Sequence, residues 1–195
     1  MRLILASASP RRAELLRVAG YSFEVLPVDV DEGLRPGESP VAYVERLAVE
    51  KSAGAIEELA AGDGYIVIGA DTAVVVGEQI FGKPRDAEDA ARMLRLLSGR
   101  THKVLTGVSA RSAALELALV ETTTVWFVKL TEDQIAEYVA SGEGSDKAGG
   151  YAIQGLASKF IPRIEGSYSN VVGLPVAAVD GLIQRLSRPA RVLAS

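Results

Sequence analysis

Two serines and two arginines stand close together in the segment SASPRR, as Ser7, Ser9, Arg11 and Arg12. An apolar run ends there and a Ser-Pro helix start begins. Free backbone N–H groups at a helix entry, hydroxyl donors and guanidiniums all favour a phosphate, although an ordinary capped helix with solvated arginines would carry the same letters. Asp71, in GADT, interrupts the apolar run from Tyr65 to Val76. A carboxylate in such surroundings needs partners or a raised pKa, and it would suit a general base or a metal ligand. The alternative is a strand-end aspartate bonded to a backbone amide. Glu32, in the acidic DVDE loop, could join Asp71 around a metal, although such loops are more often simply solvated.

Three further segments carry candidates. GEQIFGKP, from Gly77 to Pro84, approaches a P-loop. Proline stands where Ser or Thr would reach magnesium, and the next helix starts only at Asp86, so the P-loop reading fails. Lys83 remains a candidate phosphate contact, as does Lys51 on the second expected helix. DKAGGYAIQG, from Asp146 to Gly155, has paired glycines that would let backbone approach a ligand. In the same segment Gln154 offers a donor and an acceptor suited to a base edge. His102 is expected to be a structural hydrogen-bonder.

Composition narrows the chemistry. The chain has 195 residues, 48% hydrophobic and 24% charged, with a net charge of −4. This is globular composition, and it argues against a general nucleic-acid binder, which needs a broad basic surface. With no cysteine and one histidine, disulfides, thiolate metal sites, cysteine nucleophiles and multi-histidine zinc sites are excluded. A metal would need oxygen ligands, which favours magnesium or manganese. No stretch reads as a signal peptide or a membrane span, so a cytoplasmic setting is expected.

These candidates need elements to position them. Arg2–Ala6 reads as a buried strand, followed by a helix capped by Ser9 and stopped near Gly20. A strand is expected over Phe23–Val30, then a helix from Ser39-Pro40 to about Leu59. Tyr65–Val76 is strand, turning at Gly77-Glu78. Asp86 caps a helix ending near Gly99, and two strands with a turn near Ala113-Ala114 lie between Lys103 and Leu130. Thr131 and Gln134 form a capping box. A further segment over Ile161–Ile164, a loop GSYSNVVGLP and a closing helix through Leu186 complete the chain. Helices alternating with strands, plus two hairpins, give an α/β fold with a mixed sheet, and nothing marks a second domain within residues 1–195.

Taken in order, SASPRR, ERLAVEKSA, GADT, GKPRDAEDAARMLRLLSGRTHKVLTGV, DKAGGYAIQG and GSYSNVVGLP resemble the Maf family over nearly the whole chain. The resemblance implies a nucleoside triphosphate pyrophosphatase of the inosine-triphosphatase-like α/β fold, with two lobes around a central cleft and dependence on a divalent metal. It implies Asp71 as proton acceptor, and Arg12, Thr72 and Gln154 as the positions marking a branch that prefers dTTP and UTP. It places Ser7, Ser9, Arg11, Glu32, Lys51 and Lys83 along the cleft. A nucleoside triphosphate is the expected partner, with neither nucleic acid nor membrane, and a homodimer is compatible with it. The family's link with septum formation keeps a nucleotide-binding regulator without turnover as the alternative. A hydrolase cutting the terminal phosphate is a third reading.

Overall fold

The computed structural model describes residues 1–59 and 64–187. Its framework is a seven-stranded mixed sheet. Strand β1 (Arg2–Ala6) lies parallel to β2 (Glu24–Val25) on one side and to β3 (Tyr65–Val76) on the other. On its other edge β3 runs antiparallel to β5 (Thr101–Arg111), which pairs with β6 (Glu116–Trp126), and β6 pairs with β7 (Arg163–Glu165). β4 (Gln79–Phe81) folds back on the end of β3.

The expected strand over Phe23–Val30 shrinks to two residues. Leu26 still donates to the Leu5 carbonyl at 3.0 Å, but Pro27 has no N–H to continue the ladder. The helix expectations hold closely. Ser9 caps α1 (Pro10–Val18), Ser39 caps α2 (Pro40–Glu57), and Asp86 caps α3 (Ala87–Leu97). Thr131 and Gln134 complete a reciprocal capping box on α4 (Glu132–Ala140). Within GSYSNVVGLP, expected as loop, Ser167 caps a short helix α5 (Tyr168–Val172), which precedes α6 (Val176–Ser187).

Alternation along β3 sorts its residues onto two faces. Val67, Ala73 and Val75 face α2, and so do Gly69 and Asp71 by the same period. A Cβ on Gly69 would lie 2.2 Å from the Ala48 carbonyl, and one on Gly107 of β5 would lie 2.1 Å from the Val44 carbonyl. Helix α2 therefore rests its backbone directly on the sheet. The opposite face carries two apolar cores. Ile66, Ile68 and Ala70 join Leu16 of α1 and Val179 and Leu182 of α6 in one. Val74, Val104 and Val125 join Met93, Leu94 and Leu97 of α3 and Ile135 of α4 in the other. Between the cores lies a polar row, Thr72 opposite Thr106. Two lobes thus share one sheet and part where that row crosses it.

Candidate functional site

A cleft opens where β3 changes neighbours. β1 accompanies its outer edge only to Gly69, and β4 joins that edge only at Val74. The residues between, including Asp71 and Thr72, have no strand beside them there among the described residues. The resulting cleft measures about 520 Å³, a normal size for a small-molecule site. It lies beyond the carboxyl end of β1, where parallel strands usually receive ligands, and the N-terminus of α1 borders it.

The close seat of α2 on Gly69 and Gly107 brings Lys51 onto Asp71. Its Nζ donates to Asp71 Oδ1 and to Glu32 Oε1, each at 2.7 Å. The Lys51 and Asp71 side chains are only 11% and 13% exposed, whereas Glu32 is 58% exposed. Partial burial raises the Glu32 carboxyl, but the hydrogen bond and charge of Lys51, with Lys83 and Arg12 behind it, outweigh that and leave it lowered. The second oxygens of Asp71 and Glu32 have no hydrogen-bond partner among the described residues. This donor set fits a hard divalent cation: two carboxylate oxygens at one cleft, with room for water and phosphate oxygens to complete the shell. No group of three or more acidic or histidine side chains that could cage a metal occurs among the described residues.

Arg12 lines the cleft too, and it bonds Thr72, on the opposite face of β3 from Asp71. Its guanidinium is buried and donates from Nε to the Gly173 carbonyl at 2.8 Å. Nη1 reaches Ser7 Oγ at 3.0 Å and the Ala70 carbonyl at 2.8 Å, and Nη2 reaches Thr72 Oγ1 at 3.1 Å. Four of its five N–H donors are thus taken by the chain itself. Burial lowers its pKa, with the Asp71 charge opposing. Thr72 continues to Thr106 Oγ1 at 2.9 Å. Asn170 of α5 closes this belt by donating to the Val104 carbonyl and Thr123 Oγ1, each at 3.0 Å.

The remaining candidates divide by reach. Ser7 is buried and shared with Arg12 and the Ser9 N–H, and Ser9 is committed to the α1 cap. Arg11 pairs with Asp146 at 2.9 Å across the cleft mouth. Lys83 is exposed on the cleft rim, without an ion pair among the described residues. Gln154 lies outside this cleft, on a narrow adjoining recess of about 50 Å³ that shares Arg11, Thr72 and Ala148 with it. Its amide makes no hydrogen bond among the described residues. Gly149 and Gly150 are buried with left-handed φ of 73° and 72° and shape a turn in which Gly149 lies against Val74. His102 is buried and bonds Tyr151 through Nε2 at 2.7 Å, as expected of a structural histidine.

Some residues of the site escaped the sequence reading. The Tyr43 hydroxyl donates to the Glu32 carbonyl at 3.0 Å. Burial first, and then the charges of Asp71 and Glu32, push its phenol up to about 12. Arg46 holds the same loop, bonding Glu38 twice and the carbonyls of Asp31 and Gly33. Tyr43, Arg46 and Glu50 recur at helical spacing just before Lys51, and that stripe was the available signal.

A family model described as "Maf-like protein" matches residues 2–186. The chain belongs to the Maf family. Among similar Maf proteins is a "dTTP/UTP pyrophosphatase" of Anaeromyxobacter dehalogenans, 50% identical over 192 residues, which span 96% of this chain and 95% of that protein. One of the same name from Vibrio cholerae is 51% identical over 184 residues, 94% of this chain and 97% of that protein. The fold is also that of the Staphylococcus aureus Ham1 protein, with a TM-score of 0.55 at 15% identity, covering 95% of this chain and 99% of that one.

Proposed function

We propose that this Maf protein hydrolyses dTTP and UTP to the nucleoside monophosphate and pyrophosphate. The observation that carries the reading is the Asp71–Lys51–Glu32 cluster, an under-coordinated carboxylate pair on the floor of a cleft rimmed by Arg11 and Lys83. The names borne by relatives at about half identity support the substrate class.

A triphosphate laid in the cleft meets cationic groups from several sides: Arg11 beside the α1 entry, Lys51 on the floor and Lys83 on the rim. Asp71 holds a water through its free Oδ2 and accepts its proton as the oxygen attacks the α-phosphorus. The bond from that phosphorus to the bridging oxygen breaks, and pyrophosphate leaves. Lys51 keeps Asp71 oriented, and fixed cations meet the charge that builds on the departing phosphates, the kind of preorganised stabilisation that dominates phosphoryl transfer. Magnesium or manganese would be held by the free Glu32 oxygen together with phosphate oxygens, leaving Asp71 Oδ2 to the water, and would supply further charge neutralisation.

Base choice falls to the recess. A uracil or thymine ring presents an imide N–H beside carbonyl oxygens, and the Gln154 amide can accept from the first and donate to the second. Free nucleotide as substrate, a net charge of −4, and the lack of any helix among the described residues long and apolar enough to cross a membrane are consistent with a cytoplasmic pool enzyme.

The test is a panel of dTTP, UTP, CTP, GTP and ATP with magnesium or manganese, scored for pyrophosphate and for orthophosphate. Pyrophosphate from dTTP and UTP, abolished by EDTA and restored by either metal, is the expected result. Orthophosphate as first product, or binding without turnover, would overturn the reading.

A further inference from the structure

Gln154 sits in the middle of a short backbone span whose two ends are tied to one carboxylate. Glu143 Oε1 accepts from the Leu156 N–H at 2.8 Å, and Oε2 from the Tyr138 hydroxyl at 2.7 Å. That hydroxyl in turn accepts from the Ala152 N–H at 3.0 Å. The path Ala152, Tyr138, Glu143, Leu156 therefore closes around residues 152–156 while leaving the Gln154 side chain unbonded at the recess. Contact is tight: a Cβ on Gly155 would lie 1.9 Å from Glu143 Oε1. Behind the clamp, Tyr138 is 3% exposed and packs on Phe160, so the anchor itself belongs to the core. Partial burial raises the Glu143 carboxyl, but the Leu156 N–H and the Tyr138 hydroxyl outweigh it and keep it ionised.

We infer that Glu143 and Tyr138 are positioning residues for base discrimination, fixing the Gln154 backbone so that its amide meets the pyrimidine edge in one register. This rests on Gln154 being the base reader. Neither residue lines the triphosphate cleft, so they act on which base is chosen and leave the hydrolytic step alone. A side chain misplaced by an ångström loses most of a paired hydrogen bond. Loosening the clamp should therefore flatten the ranking of nucleotides rather than slow all of them together.

The experiment compares kcat/KM for dTTP, UTP, CTP and GTP in the wild type, Glu143→Ala, Glu143→Gln, Tyr138→Phe, Gln154→Ala and the double variant Glu143→Ala/Gln154→Ala. Glu143→Ala should cut the preference for dTTP over CTP about tenfold, with kcat for dTTP within about threefold of wild type. Tyr138→Phe, which keeps the ring in the core, should shift the ranking in the same direction by less. Glu143→Gln should recover part of the preference, because its carbonyl can still accept from Leu156. The double variant should match Gln154→Ala alone, since the clamp acts only through the amide. A uniform loss with the ranking kept in Glu143→Ala and Tyr138→Phe, or additive losses in the double variant, would overturn the inference. If Gln154→Ala flattens the ranking and the clamp variants do not, the inference fails and the base-reader assignment stands. If Gln154→Ala keeps the pyrimidine preference, both fall.

Discussion

Asp71 and Thr72 are neighbours on β3, and they meet opposite surroundings. On the α2 face, Asp71 shares Lys51 with Glu32, and the second oxygen of each carboxylate is left for something outside the chain. On the other face, Thr72 belongs to a closed belt in which Arg12 spends four N–H donors on Ser7, Ala70, Thr72 and Gly173. Both faces are polar, and both interrupt apolar packing. The belt takes most of its hydrogen bonds from protein, although Asn170 Oδ1 is buried without a partner among the described residues, and it ties the two lobes together, while the cluster is incomplete until a ligand arrives. Function sits where hydrogen-bonding capacity opens onto the cleft, and the belt, bonded mainly within the protein, supplies stiffness beside it.

Changing Arg12 tests the closed side. Arg12→Ala strands the Ala70 and Gly173 carbonyls in a buried void, so a stability loss of about 3 kcal/mol is expected. In a chain of this size that corresponds to a fall in Tm of roughly 6–12 °C. Arg12→Lys should restore only part of it, because a lysine cannot reproduce the planar fork. Thermal and urea unfolding measure this directly. A variant as stable as wild type that has lost triphosphate affinity would move Arg12 from the belt to the ligand.

The open side should respond in reverse. Asp71→Asn keeps the shape and an acceptor for Lys51, so the fold should lose less than about 1 kcal/mol. Turnover should drop roughly a hundredfold or more, about 2.7 kcal/mol of barrier, as the proton acceptor is lost. Pyrophosphate release under saturating dTTP gives kcat, and unfolding of the same sample gives stability. Near-normal kcat, or a Tm loss as large as that of Arg12→Ala, would erase the distinction between the two faces.

How far the sequence foretold this division depends on what each residue contacts. Ser9, Ser39, Asp86 and the Thr131–Gln134 pair announce their helices because a cap is a local event, and the apolar run of β3 announces a buried strand for the same reason. The strand expected from Phe23 stops at Val25, because its length depends on what β1 can pair and Pro27 brings no N–H to that edge. Glu32, Lys51, Asp71 and Arg11 stood out as charges in telling places. Their grouping did not, because the contacts span 19, 20 and 135 residues of chain. Two of Arg12's four partners were invisible in principle: Ala70 and Gly173 contribute backbone carbonyls, and a carbonyl leaves no mark on residue type.

The smallest effect concerns the seam between the faces, where Arg11 pairs with Asp146. Lys147 does most to hold the Asp146 carboxyl down at about 2, against partial burial, and Arg11 adds to it. A carboxyl lowered in the folded state stabilises above its unfolded pKa, so this contribution is in place above about pH 4 and fades as the pH falls through 2. With Asp146 59% exposed, screening limits the contribution to less than about 1 kcal/mol. Asp146→Asn should therefore barely change the Tm at pH 7. Yet Asp146 also occupies the arginine that borders the triphosphate cleft, and its negative charge repels the substrate. Removing it should lower KM for dTTP by roughly two- to fivefold in low salt, with the gain shrinking as ionic strength shortens the Debye length. Steady-state kinetics at two salt concentrations make the comparison. A higher KM in the variant would mean that Asp146 holds Arg11 in its working position instead of competing for it, and the seam would then belong with the closed belt.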